Sequence, residues 1–262
     1  MTARHSRADL ATASELLERQ WRTLRRWLGE VVGDGAGPGS IVDAPSVLPG
    51  VSVVELIELA GRDLTLLAGA EPVPEGTLTL TLSEFLSTSH PHHRAAVDPR
   101  SDADANADAD VDDDQSNEAA RAHRAGGPLA RVDAIAAAAF ARLEELGPED
   151  RAVRAGRTAL MLSDLVLTRL VAIVLHGDDL ARSVARSGER PLDPEALQLA
   201  GEVLLGIVVT RGGWSLELVD PLLWVRLAAG RLPREADRLG DALHARFTSD
   251  SVPDLGRMLP LL

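Results

Sequence analysis

His176 closes the most apolar stretch of the chain, and two charged residues stand at helical spacing from it. Asp179 follows at i+3 and Arg169 precedes it by seven residues, two helical turns away on the same face. An imidazole so placed has two readings. It is a general base whose ring Asp179 orients, or it is a structural histidine bonded to a neighbour such as Asp179. Asp179 in turn either orients His176 or simply sits near a helix end. Arg169 either binds an anion or pairs with Glu55 or Glu58. A buried guanidinium without a partner is costly, which favours pairing. His90, His92 and His93 form an HxHH cluster. Short His-rich tracts bind metal, but from a flexible linker they do so weakly and without specificity.

The remaining chemistry is bounded by what the chain lacks. It has no Cys, which excludes disulfides, thiolate metal sites and cysteine nucleophiles. No GxGxxG, P-loop, GxSxG or HExxH pattern occurs. The Gly-rich run GDGAGPGS follows a helical pattern, not a strand, and reads as a linker. The acidic run SDADANADADVDDD lacks the central Gly and closing Glu of a calcium loop. All 27 basic residues are Arg, against 40 acidic ones, and the net charge of −13 argues against nucleic acid as a partner. Leu165 to Leu175 falls well short of the ~20 residues of a membrane span. The N-terminus carries no apolar signal-peptide core. A cytoplasmic location, with no membrane span, is the expectation.

The elements that must position these residues read as helices. Of 262 residues 45% are hydrophobic but only 3% aromatic, with no Tyr, so the core is built from Leu, Val and Ala. Residues 8–32 place Leu10, Leu17, Trp21, Leu24, Leu28 and Val31 on one seam. A second helix opens with Ser52 as cap and Glu55 completing a capping box. Its stripe is Val53, Leu56, Ile57, Ala60, Leu64 and Leu67. Ser83 is the expected cap of a short third helix. Residues 88–127 are acidic and nearly free of large apolar groups, so they are expected to be disordered. Further helices are expected over 129–146, with Val132, Ile135, Ala139, Leu143 and Leu146 inward, and from about Ser163 to Ser187. Another begins at Asp193-Pro194. From Gly212 the pattern changes. WSLELV reads as a single strand, DPLLWVRLAAGRL as a helix capped by Asp220, and READRLGDALHARF as a final amphipathic stretch leading to the tail. Trp214, Trp224 and Leu227 either line a ligand groove or, as expected, pack the core of this small part.

Three blocks carry a family resemblance. PSVLPGVSVVELIELAGRDL (45–64) and RTALMLSDLVLTRLVAIVLHGDDLARSV (157–184) resemble the metal-binding N-terminal domain of mycothiol-dependent maleylpyruvate isomerases, a DinB-like four-helix bundle. DPLLWVRLAAGRL (220–232), with the ending DLGRMLPLL, resembles the end of the sterol-carrier-like domain that actinobacterial relatives attach after it. The resemblance implies a mainly α protein. Residues 1–211 would form an up-and-down bundle interrupted by the acidic insert. Residues 212–262 would form a truncated, mostly helical C-terminal segment.

The family's chemistry implies a divalent metal, usually zinc. A His on the second helix and a Glu and His four apart on the fourth would hold it, and mycothiol would supply an activated thiolate. Position by position, the second-helix His falls at Leu59 and the Glu at Ala172, while the last ligand survives as His176. The Trp that relatives carry after Pro-Gly is Val51. One imidazole does not make a catalytic site, since such sites use three protein ligands. Three readings follow. The first is a degenerate member without a cofactor, acting as a binding or interaction module, with His176 a vestigial ligand. The second is an active metal- and mycothiol-dependent enzyme with substitute ligands, such as Glu58 or the 90–93 histidines. Adjacent helical residues point about 100° apart, which argues against Glu58 replacing position 59. The third is a carrier of lipid or another small apolar ligand.

Overall fold

A computed structural model describes residues 9–32, 44–89, 127–184, 190–233, 235–247, 252, 255 and 258–262. The histidine cluster, the run GDGAGPGS and nearly all of the acidic insert lie outside these residues.

The first helix, α1 (Leu10–Val32), buries the expected seam, and Ala13, Leu16 and Gln20 beside it. In α2 (Val53–Ala68) the capping box forms as expected. The Glu55 amide donates to Ser52 Oγ, and the Ser52 amide to Glu55 Oε2 at 2.7 Å. Its six-residue stripe is buried throughout. α3 (Leu82–Ser89) corrects the expected cap. Thr81 fills that role: its amide donates to Glu84 Oε2 at 2.8 Å, and the Glu84 amide donates to Thr81 Oγ1. The reason is spacing. Thr81 has a Glu three residues on, whereas Ser83 has Leu86 there. Ser83 Oγ accepts instead from Arg211 Nε at 2.9 Å. α3 also carries helix into residues 88 and 89, the first two of the expected disordered stretch.

α4 (Pro128–Leu146) packs more extensively on α2 than any other pair of elements does. Gly61 makes this approach possible, because a Cβ there would lie 2.5 Å from Val132 Cγ1. Ala136 takes the fully buried place beside it, and Ile135 is only half-buried. α5 (Leu162–Ser183) is apolar nearly all round and is the most buried helix, as its composition requires. It packs on both α1 and α2, and α1 touches α4, so these four helices close into the expected bundle. α6 (Pro194–Gly212) lies on α5 and α1. Asp193 caps it, accepting from the amides of Glu195 and Ala196.

Strands form where none was expected. β1 (Glu71–Pro72), β2 (Ala152–Ala155) and β3 (Thr158–Met161) make a small antiparallel sheet in that order. Gly156, at φ +62°, supplies the tight turn between β2 and β3. After α6, β4 (Leu216–Leu218) confirms the single strand of WSLELV, and α7 (Pro221–Ala228) starts at its expected Asp220 cap. The final amphipathic stretch divides between a helix and a strand. α8 (Ala236–Ala242) stops at Leu243, where β5 (Leu243–Ala245) pairs with β4, Leu216 opposite Ala245 and Leu218 opposite Leu243. A waiting partner edge overrides the helical pattern there. Leu216 and Leu243 are both buried, and Trp224 and Leu227 join the same continuous core as the bundle helices.

Candidate functional site

α2 and α5 pack face to face, and the three residues that the packing joins are Asp63, Arg169 and His176. Asp63 lies four residues after Leu59 on α2, so the two share a face. On α5, Ala172 lies between Arg169 and His176 at helical spacing from both. His176 Nε2 is 2.8 Å from Asp63 Oδ2. A carboxylate only accepts, so Nε2 is the donor. Arg169 Nη1 donates to the Asp63 carbonyl at 2.9 Å and lies 3.5 Å from Asp63 Oδ1. The Arg169 guanidinium also stands 5.9 Å from the centre of the Phe85 ring. Arg169 is 2% exposed and His176 8%. Burial pulls the Arg169 pKa below its ordinary value, and the Asp63 carboxylate opposes that pull.

The structure brings His176 and Arg169 together and places Asp179 apart from them, and all three have partners other than those expected. His176 does not bond Asp179. Asp179 is fully buried and turns to the C-terminal segment, where Arg231 Nε approaches both its oxygens at 3.0 and 3.1 Å. The i+3 spacing permitted a contact, but a fully buried carboxylate goes to the cation that neutralises it. Arg169 pairs with neither Glu55 nor Glu58. Glu55 is committed to its capping box, and Glu58 pairs with Arg131 of α4. The residue sequence reasoning missed is Asp63. Its one signal was position, one turn beyond Leu59 on the same helix face.

Beside this cluster, α5 carries a second missed ion pair. Asp178, also fully buried, accepts from Arg226 Nε at 2.7 Å and Nη2 at 2.6 Å. Hydrogen bonding to Asp178 holds the Arg226 pKa above its ordinary value, despite burial that lowers it. Asp178 and Asp179 thus anchor α7 and the turn after it to the end of α5.

Whether these residues could hold a metal is decided by the donor set. His176 points the proton of Nε2 at Asp63, and its buried Nδ1 meets no partner. Leu59 and Ala172 offer no donor atom. Arg169 places a fixed cation on Asp63, where a second cation would be repelled. Among the described residues no group of three His, Cys, Asp or Glu side chains is arranged to hold an ion. The cluster does not fit a catalytic divalent metal.

No helix among the described residues is long and apolar enough to cross a membrane. No family model matches the chain, and no curated protein matches it. A crystal structure of a mutant of the mycothiol-dependent maleylpyruvate isomerase is similar to it at 16% identity. The match covers 97% of this chain and 98% of that one, with a TM-score of 0.45. Likeness at this level fixes neither a site nor a reaction.

Proposed function

We propose that the chain is a degenerate member of the mycothiol-dependent maleylpyruvate isomerase family, acting as a metal-free binding or interaction module. The family reading rests on the three sequence blocks. The degenerate reading rests on one observation: around His176, whose Nε2 donates to Asp63 at 2.8 Å, no group of three His, Cys, Asp or Glu side chains among the described residues is arranged to hold an ion. Arg169 neutralises the Asp63 carboxylate that His176 bonds. The ion pairs of Asp178 and Asp179 support a companion reading, that residues 212–262 act with the bundle as one body.

The enzyme reading with substitute ligands finds less support. Glu58 is held by Arg131, and the 90–93 histidines lie outside the described residues. The test is an assay of maleylpyruvate isomerisation with mycothiol and added zinc. The expected rate is no higher than that of mycothiol and zinc without protein. Turnover above that background, lost on His176→Ala, would overturn the proposal.

A further inference from the structure

A cavity of about 720 Å³ opens between the start of α3, α5, α6 and the β4–β5 pair. None of Asp63, Arg169 and His176 lines it, so it is a different place from the cluster described above. Its volume suits a small-molecule ligand. Buried Leu167, Leu199 and Leu216 form its apolar inner wall, and exposed Glu202, Glu217 and Arg246 stand at its mouth.

Two independent features point to a ligand and to its charge. The first is Gly206, which lines the cavity in the interior of α6. Glycine there weakens the helix. Gly201 of the same helix has a packing reason, since a Cβ would meet Leu218 Cδ2 at 2.7 Å. Gly206 has none: a Cβ built there meets nothing within 4 Å. The residue keeps open a space that any side chain would begin to fill. The second feature is the charge at the mouth. Arg246 Nε pairs with Glu217 Oε1 at 3.0 Å, and these two charges cancel. Glu202 is left with a neutral partner, the Gln198 amide, which donates to its Oε1 at 2.8 Å. Among the side chains that line the cavity this leaves one negative charge without a counter-charge beside an apolar hollow, while the Arg211 guanidinium is held by Ser83 and Ser87 of α3.

We infer that this cavity binds a small amphipathic amine in its ammonium form, with the apolar body inside and the cationic head at Glu202. A neutral molecule of the same shape fills the hollow but leaves Glu202 without a counter-charge. An anionic one meets repulsion. The inference stands apart from the metal-free reading of His176, and neither outcome below bears on that reading.

The test is calorimetric titration of the full chain with octylammonium, 1-octanol and octyl sulfate, each below the concentration at which it forms micelles. The expected order is octylammonium tightest, octanol roughly tenfold weaker and octyl sulfate weakest, the first step being the size of one charge-assisted contact. Glu202→Gln should bring octylammonium down to the level of octanol and leave octanol unchanged. Gly206→Leu should weaken all three while its melting temperature stays level or rises. No saturable binding by the natural chain, equal affinity for the ammonium and the sulfate, or unaltered octylammonium binding in Glu202→Gln would each overturn the inference. Glu202 is exposed on α6, so that variant decides the matter even if Gly206→Leu does not fold.

Discussion

Asp63 serves two groups of α5 at once, a buried guanidinium and a buried imidazole, from a side chain that is itself 26% exposed. Removing its charge strands Arg169 where water does not reach it. Breaking a buried pair costs about 3–5 kcal/mol, and the partial exposure of Asp63 reduces this to roughly 2–3 kcal/mol for Asp63→Asn. Urea denaturation measures it. Arg169→Met removes the stranded cation, so the double variant should be more stable than the sum of the two single losses predicts, by ~1 kcal/mol or more. At this scale the sequence was half legible. His176 and Arg169 lie on one face because they are two turns apart, and any helix enforces that. Their common partner depends on the register between α2 and α5, which side-chain packing sets and local spacing does not. The same limit hid the partner of Asp179, because Arg231 lies 52 residues away in the chain.

Helix ends were the most readable elements, because a cap is a contact within four residues. Ser52, Asp193 and Asp220 all cap as their spacing implies, and Thr81 obeys the same rule that excludes Ser83. The short strands were not readable. Four residues such as Ala152–Ala155 carry too little alternation, and β5 exists only because β4 lies beside it. Two predictions belong here. Gly61→Ala forces a methyl against Val132 and should destabilise by ~1–3 kcal/mol, with Val132→Ala restoring most of the loss in thermal denaturation. Asp193 supplies the second. Burial raises its pKa, but the amides of Ala196 and Glu195 and the Arg19 guanidinium outweigh that and hold it below the ordinary carboxylate value. A lowered folded pKa contributes stability that is fully present above the unfolded value of ~3.9 and is lost as pH falls through the folded one. Asp193→Asn should therefore be less stable at pH 7 and lose less on acidification below about pH 4, as measured by denaturation across that range.

The whole molecule holds together through one continuous core and the acid pair at the end of α5. The charged pair GDDLARS was conspicuous in sequence, since two adjacent Asp residues after an apolar helix must be solvated or paired. Which of these applied was not legible, because Arg226 and Arg231 reach it only after α6 and β4 have turned the chain back. Asp178 and Asp179 are both fully buried, so parting the C-terminal segment from the bundle would strip Asp178 of Arg226 and leave Asp179 only Arg182 of its own helix, at 3.6 Å. The chain should unfold in a single calorimetric transition, and Arg226→Ala should shift that transition down as a unit without splitting it.

We propose that His176 is not part of a metal site. The most direct measurement is elemental analysis of the chain purified without a polyhistidine tag, beside His176→Ala. The account predicts the same substoichiometric metal in both. About one zinc per chain in the natural protein, lost in the variant, would contradict it and require ligands around His176 other than those its ion pairs now occupy.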